Sequence, residues 1–488
     1  MTKALTHTLG HLFPETGSGE NAALAVSGLA ADSRKVTPGA VFVAVPGTQA
    51  DGAAFIPAAV AAGAVAVVGE GERPGALQPD IAYVRVPDVR RALALAAARV
   101  HPRQPATVVA VTGTAGKSSV ADFSRQLFAA LGHKSASLGT LGVVTSDGQA
   151  YGSLTTPDPI ALHETLDRLA AGGVQYAAME ASSHGIHQHR LDGVRLAAAG
   201  FTNLGRDHLD YHGTMEAYLA AKLRLFDTLL PEGATAVVNA DGPEAGAVMD
   251  AVRRRGLPLM SVGRAGEDLR LVELAAEGFS QALTIRSSGR EMRATLPLVG
   301  RFQIENALVA AGLVIATGGD PEAVLAAFGS LKGVAGRLDR VGEVNGALCV
   351  VDYAHKPEAL QNVLEALRPF ATGRLVCVFG CGGDRDRGKR PIMGKIAMDG
   401  ADVVIVTDDN PRTEQPHAIR ADILAGAPGA REIGDRREAI RTAVRELRAG
   451  DVLVVAGKGH ETGQTIGDVT QPFSDHEELR AAIAEAGR

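Results

Sequence analysis

The sequence predicts an α/β protein of three domains, with a parallel sheet in the middle domain and a Rossmann-like C-terminal domain. Three observations carry this. Short β-branched runs alternate with alanine- and leucine-rich helical patterns along the whole chain, and that alternation builds largely parallel sheets covered on both faces. The 488 residues leave room for about three domains of ordinary size. Two changes of texture, His101-Pro102-Arg103-Gln104-Pro105 and the glycine-flanked stretch Gly333 to Gly336, divide the chain into 1–104, 105–333 and 334–488.

Composition narrows the class. With 46% hydrophobic and 21% charged residues, the chain suits a globular rather than a disordered or fibrous protein. A net charge of −6 argues against general nucleic-acid binding. The apolar run Ala58 to Val68 is shorter than the ~20 residues of a membrane span, so no span is expected. Met1 to Glu20 lacks a basic start followed by an apolar core, so no export signal is expected and the location is read as cytoplasmic. Cys349, Cys377 and Cys381 are read as buried strand thiols, since the CxxxC spacing of the last two is not a usual zinc pattern.

In the first domain, Val41 to Val45 reads as a strand ended by Pro46-Gly47, Phe55 to Ala62 as a helix and Ala64 to Val68 as a strand. The central domain opens with a strand over Thr107 to Val111. Further strands are expected at Tyr176 to Glu180, Ala197 to Thr202 and Thr235 to Asn239, and helices at Met215 to Leu230 and Gln303 to Ala316. An antiparallel insertion is expected across 262–296. In the third domain, Ala347 to Tyr353, Arg374 to Phe379, Val403 to Thr407 and Val452 to Ala456 are apolar strands between helices. Gly380-Cys381-Gly382 invites a dinucleotide reading, but Arg385 stands where the third glycine is required.

The most informative stretch follows the first central strand. Gly113-Thr114-Ala115-Gly116-Lys117-Ser118-Ser119 breaks it, and a helical pattern with Val120, Phe123, Leu127 and Leu131 on one face takes over. Strand, glycine turn, Lys-Ser and helix make a phosphate cradle. Backbone N–H groups and the helix N-terminus point at an anion, Lys117 reaches outer phosphates, and Ser118 can ligate Mg²⁺. The central domain is therefore read as P-loop-type and ATP-binding, although the glycine of the full pattern is replaced by Val111.

Other candidates cluster at predicted strand ends. Glu180 ends a strand beside Ser182-Ser183-His184, and His208 lies just after another. Both are candidate metal or substrate groups at the edge where the phosphate loop lies. His184, His187 and His189 have HxxHxH spacing but no paired thiolates or carboxylates, and read as a polar loop rather than a zinc site. Lys222, on an otherwise apolar helix, reads as a lysine reaching out to water. In the third domain, charged turns at Gly383 to Arg390, Asp408 to Arg412 and Gly457 to Glu461 all follow strands and should meet at one edge. Mixed arginines and carboxylates there suit a zwitterion.

Together these motifs resemble the Mur ligases over nearly the whole chain. Asp32-Ser33-Arg34 and Gly47-Thr48-Gln49-Ala50-Asp51-Gly52 are similar to that family's uridine-nucleotide domain. Thr155-Thr156-Pro157, Ser182-Ser183-His184 and Gln188-His189-Arg190 are similar to its acceptor-peptide motifs. The resemblance implies Ser33, Thr155, Thr156, Ser182, Gln188 and Arg190 as substrate contacts. It implies Glu180 and His208 as metal-binding residues, with Lys222 carbamylated to hold a second Mg²⁺, against the bland reading of that lysine. Asn306, Arg337 and Asp352 are implied as ATP contacts, with the third domain closing over the nucleotide. Asp409-Asn410-Pro411-Arg412 is similar to the signature of the branch that adds meso-diaminopimelate, in which Arg385, Gly457 and Glu461 also contact the amino acid.

The implied activity is ATP-dependent acid–amino-acid ligation on UDP-N-acetylmuramoyl-L-alanyl-D-glutamate, in cell-wall precursor synthesis. Lys117, Lys222 and His208 are its implied catalytic residues, and a monomer is expected. Two departures stand out: Ala115 replaces the family's usual Asn, and Leu154 replaces an Asn found in some members. Folylpolyglutamate synthetases share the shortened loop, but the first domain and the Asp-Asn-Pro-Arg signature count against them. A nucleotide-driven switch or motor is the alternative from another class.

Overall fold

A computed structural model describes every residue except 1–6, 18, 48–50, 151–153, 335 and 488. Thr48, Gln49 and Ala50 of the expected uridine motif, and the start of the amino-terminal segment, thus lie outside the described residues. The chain forms two compact units: residues up to Asp268 with Leu308–Asp320, and Leu269–Ala307 with residues from Pro321 onward.

The first unit holds a short antiparallel pair, His7–Thr8 with Ala25–Val26, and two larger sheets. Leu29–Ala30, Val41–Val43, Ala66–Gly69 and Ala82–Arg85 pair in that order, all parallel. Alternation decides their two cores: Val41, Val43 and Val68 pack with Leu93 and Ala96, whereas Phe42 and Val67 pack with Ile56 and Ala59.

In the central sheet, Thr107–Thr112 lies between Tyr176–Glu180 and Leu196–Phe201 and is parallel to both. Ser135–Gly139 extends the parallel sheet on one side, and Thr235–Asn239 and Leu259–Gly263 on the other. Val108 to Val111 are all buried, as a strand covered on both faces requires, which is why the run is apolar throughout rather than alternating. Glu180 stands in register with Val111 and Phe201 with Thr112. The chain segments leaving these three strands therefore emerge side by side at one edge.

The helix expected over Met215 to Leu230 is α-helical over Met215–Arg224 and then widens into a π turn at Leu225–Leu229. In an α-helix, residues five apart point about 140° apart. The wider turn, closed by the Leu230 N–H donating to the Leu225 carbonyl at 2.9 Å, brings fully buried Leu225 and Leu230 closer to one face.

The second unit contains an antiparallel meander, Leu269–Glu277, Ser280–Ser287 and Arg290–Leu296. Its six-stranded sheet runs Asp339–Val344, Ala347–Asp352, Val452–Ala456, Leu375–Phe379, Val403–Val406, Arg431–Glu432; the first pairing is antiparallel and the others parallel. Separate apolar clusters cover its two faces. Cys349, Cys377 and Cys381 are buried free thiols, the first two on strands.

Candidate active site

The phosphate loop is shaped by two glycines. Gly116 caps the helix Lys117–Ala130 with φ +86°. Gly113 has φ +152°, and a Cβ there would fall 1.9 Å from Thr202 Oγ1. Only glycine fits such a backbone at such a distance. The loop is also tied to the neighbouring strand end: the Ala115 N–H donates to Asn203 Oδ1 at 3.0 Å, and Thr202 Oγ1 donates to the Ala115 carbonyl at 2.6 Å. Thr114 Oγ1 accepts from the Gly205 N–H at 2.9 Å. Ala115 itself is exposed and Ser119 is buried behind the loop.

Two lysines converge on this loop. Lys117 Nζ donates to the carbonyls of Gly113 and Thr114 at 3.0 and 2.9 Å, and Lys222 Nζ donates to the same Gly113 carbonyl at 2.7 Å. The expectation that Lys222 reaches out to water is overturned: it is 1% exposed. Its ammonium lies 4.2 Å from the centre of the Tyr218 ring, so a carbonyl and an aromatic face replace water. Burial, and then the charge of Lys117, lower its pKa to about 6.

Glu180 is 2% exposed. Its Oε1 accepts from Ser118 Oγ at 2.8 Å and from the Thr140 N–H at 2.7 Å. Gly139 leaves room for this carboxylate, since a Cβ there would lie 2.0 Å from Oε1. Thr140 Oγ1 also lies 3.0 Å from Thr155 Oγ1, joining the carboxylate to the threonine pair. Thr156 Oγ1 donates to the Glu180 carbonyl at 2.9 Å and lies 3.0 Å from Ser182 Oγ. Arg190 donates to the Thr156 carbonyl and to Gln188 Oε1, both at 2.7 Å, and burial lowers its pKa. Gln188 in turn donates to the Tyr211 hydroxyl at 3.1 Å. Thr155, Thr156, Glu180, Ser182, Gln188 and Arg190 thus form one connected patch beside the loop.

His208 has φ +53° and a half-exposed side chain, its ring edge-on to His184 at 4.8 Å. His184 and His187 belong to the short helix Ser183–His187 rather than a loop. Among the described residues no group of three or more His, Cys, Asp or Glu could hold a metal. Ser33 starts the turn Ser33–Lys35 between the first two strands of the four-stranded sheet, where Asp32 Oδ1 accepts from the Arg34 N–H at 3.0 Å.

The second unit carries the other candidates. Asp352 is buried, with its two carboxylate oxygens accepting from the Leu338 and Ala354 N–H groups at 2.7 Å each; burial raises its pKa to about 6. The Leu338 bond fixes the turn of Arg337, whose guanidinium lies 5.5 Å from the Tyr353 ring centre. Gln303 donates to the Arg337 carbonyl at 2.9 Å and accepts from Asn306 at 3.2 Å.

The three charged turns meet as expected. The Gly383 N–H donates to the Asn410 carbonyl at 2.9 Å, and Arg412 Nη1 donates to the Gly383 carbonyl at 2.8 Å. Asn410 Nδ2 donates to Glu461 Oε2 at 2.9 Å. Asp409, Asn410 and Pro411 are buried, Arg412 partly so and Arg385 exposed. Burial raises the pKa of Asp409. Gly457 has φ +118°, and a Cβ there would meet Asp409 Oδ2 at 2.6 Å.

Sequence reasoning missed Thr140, Asn203 and Tyr218, and reached Lys458 only as a member of the charged turn Gly457 to Glu461. The strand-end logic that found Glu180 applies equally to Thr140 and Asn203. It also missed backbone strain. Among the described residues seven non-glycines have a left-handed backbone. Ser288 and Asn345 serve hairpin turns. The other five, His189, His208, Leu338, Asp384 and Arg412, are candidate residues or their immediate neighbours, the places where strain tends to be kept.

Comparisons with known proteins point to one family. Three family models match: "Mur ligase family, catalytic domain" at 25–101, "Mur ligase middle domain" at 111–314 and "Mur ligase, glutamate ligase domain" at 336–459. The chain is 60% identical to the UDP-N-acetylmuramoyl-L-alanyl-D-glutamate--2,6-diaminopimelate ligase of Bradyrhizobium diazoefficiens, over 95% of this chain and 96% of that one. It is 58% identical to the ligase of the same name from Mesorhizobium japonicum, over 98% of each chain. A solved structure of a ligase of that name superposes with TM-score 0.78 at 35% identity, covering 99% of both chains. MurF from Acinetobacter baumannii, at 20% identity and TM-score 0.62 over 98% of this chain and 99% of that one, shares the fold. The chain belongs to the Mur ligase family.

Proposed function

We propose that this chain uses ATP to join meso-diaminopimelate to the D-glutamyl γ-carboxylate of UDP-N-acetylmuramoyl-L-alanyl-D-glutamate, in peptidoglycan precursor synthesis. The full-length likeness to ligases of that name carries the reading. The γ-carboxylate attacks the γ-phosphorus of ATP, giving an acyl phosphate and ADP. The amine of diaminopimelate adds to the acyl carbon, and the tetrahedral intermediate loses phosphate and a proton to leave the amide.

The chain's own residues serve these steps as follows. The loop 113–119 binds phosphates through backbone N–H groups, and Lys117 places its charge where negative charge builds on the transferring group. Thr155, Thr156, Ser182, Gln188 and Arg190 hold the acceptor peptide, and Ser33 the uridine nucleotide. Asn306, Arg337 and Asp352 serve the nucleotide of ATP. Arg385, Gly457, Glu461 and the turn Asp409 to Arg412 serve the amino acid, arginine taking its carboxylate and Glu461 its ammonium.

Mg²⁺ fits the donor set. Ser118 Oγ and Glu180 Oε1 are hard oxygens 2.8 Å apart beside the phosphate cradle. Ser118 and Glu180 would hold Mg²⁺ there, an ion that is usually bound by one or two protein groups together with substrate phosphates. When bound, the metal neutralises phosphoryl charge. We assign His208 and a carbamylated Lys222 to a second metal. The burial that lowers the Lys222 pKa to about 6 leaves a free amine at neutral pH. That amine adds to CO₂, releasing one proton and leaving a carbamate. Protein equilibrated with ¹³C-bicarbonate at pH 8 should show a carbamate carbonyl resonance that fades as pH falls toward 6 and is absent in Lys222→Ala. An unlabelled wild type contradicts the assignment. We also propose a monomer, which sedimentation of the purified protein tests, and a cytoplasmic location, which cell fractionation tests.

The decisive assay is phosphate release with each substrate omitted in turn. Release should require both the nucleotide-peptide and diaminopimelate. Release with ATP alone would indicate a switch or motor. Activity on a folate with glutamate would indicate the synthetase alternative.

A further inference from the structure

Among the wholly buried charged side chains of the second unit, Lys458 lies in the amino-acid site proposed above, and the reaction scheme gives it no task. Lys458 follows the strand Val452–Ala456, and its side chain is 0% exposed. Nζ donates to Asn410 Oδ1 at 3.0 Å and to Glu461 Oε2 at 3.1 Å. Asn410 Nδ2 donates to that same Oε2 at 2.9 Å, so lysine, amide and carboxylate close a triangle. Asn410 Oδ1 also accepts from the Thr465 N–H at 2.9 Å. The hairpin strand Gly463–Ile466 is then stitched to the turn again, the Arg412 N–H donating to the Thr465 carbonyl at 3.1 Å. The carboxylate of Glu461 is shared unevenly. Oε2 takes both internal bonds, while the side chain as a whole stays 34% exposed, leaving Oε1 on the accessible side.

We infer that Lys458 is a positioning residue for the entering amino acid. It holds Glu461 by one oxygen, so that the other is presented to the ligand's ammonium, and it fixes the Asn410 amide that carries the Arg412 turn. A buried ammonium makes this a charge-assisted clamp rather than a neutral one, and its loss leaves an amide oxygen and a carboxylate oxygen short of a donor. The inference rests on the amino-acid site proposed above.

The test is steady-state kinetics of Lys458→Met and Lys458→Arg with each substrate varied, together with positional isotope exchange in ¹⁸O-labelled ATP. Exchange is measured with the nucleotide-peptide present and the amino acid omitted. Lys458→Met should raise KM for diaminopimelate about 10- to 100-fold, the equivalent of one lost charge-assisted hydrogen bond. KM for ATP and for the nucleotide-peptide should stay near wild type, and so should exchange. Lys458→Arg should recover part of the diaminopimelate KM. An unchanged diaminopimelate KM, or equal rises in all three KM values, overturns the inference. Should Lys458→Met fail to fold, Lys458→Arg decides by the same split: a rise confined to diaminopimelate supports the clamp, and any other pattern overturns it. Absence of exchange in the wild type would instead overturn the ligase reading itself.

Discussion

The phosphate loop and the proposed amino-acid site are built on opposite principles. At the loop, the proposed binding groups are backbone N–H groups, and the shape comes from Gly113, packed against Thr202 and Asn203, and from Gly116 with its φ of +86°. At the turn Asp409 to Arg412, the groups proposed to recognise the amino acid are side chains held by other side chains, in a network through Asn410, Lys458 and Glu461. A backbone cradle is indifferent to most side-chain changes that keep its path. A side-chain network transmits each loss to its neighbours. The departure Ala115, which sits in the cradle, should therefore change little, whereas a comparable change at Asn410 should not be tolerated.

That contrast can be broken most forcefully at the charged side chain proposed to act from the cradle. Lys117→Ala should lower kcat by about 10²- to 10³-fold, the usual effect of removing one donor that acts on transition-state charge. Binding of ATP, read by calorimetry, should weaken much less. Near-normal turnover would show that Lys117 has no such part.

A smaller effect is expected from crowding the carboxylate beside the loop. Gly139→Ala places a methyl 2.0 Å from Glu180 Oε1, so Glu180 must move from Ser118 and Thr140. Overpacking of this kind costs about 1–3 kcal/mol, and thermal unfolding should report it. The Mg²⁺ concentration for half-maximal rate should rise in the same variant. An unaltered Mg²⁺ dependence would remove Glu180 from the metal site.

The smallest effect sharpens the comparison from the other side. Ala115→Asn adds an exposed side chain to a loop whose backbone bonds to Thr202 and Asn203 persist. ATP affinity should shift by less than about threefold, in the range of ordinary surface substitutions. A tenfold change would mean that the cradle relies on that side chain after all.

The same contrast explains what the sequence revealed. Parallel strands buried on both faces are unbroken apolar runs, so Tyr176–Glu180, Thr235–Asn239 and Val452–Ala456 were legible to the residue. The phosphate loop was legible because its chemistry needs glycines at fixed spacing. Glu180 was legible because strand ends meet at one edge. Lys222 was not: nothing in the order of residues says that a lysine will find the Gly113 carbonyl and the Tyr218 ring in place of water. Only the resemblance singled it out. The triangle around Lys458 joins residues 48 and 51 positions apart in sequence with one another, a contact no local pattern encodes. The left-handed backbone at Arg412 and His208 was hidden for a similar reason, since neither residue type announces it.

The central claim is that activation of the acceptor and recognition of the amino acid are separable. Arg412→Ala tests it most directly, assayed for positional isotope exchange with the nucleotide-peptide alone and for kcat/KM with diaminopimelate and with lysine. Exchange should match wild type. The diaminopimelate reaction should fall by about 10²-fold, from the loss of one or two charge-assisted hydrogen bonds to the extra carboxylate, while the poor lysine reaction is unchanged or improved. Parallel loss of exchange and of both amino-acid reactions would contradict the account.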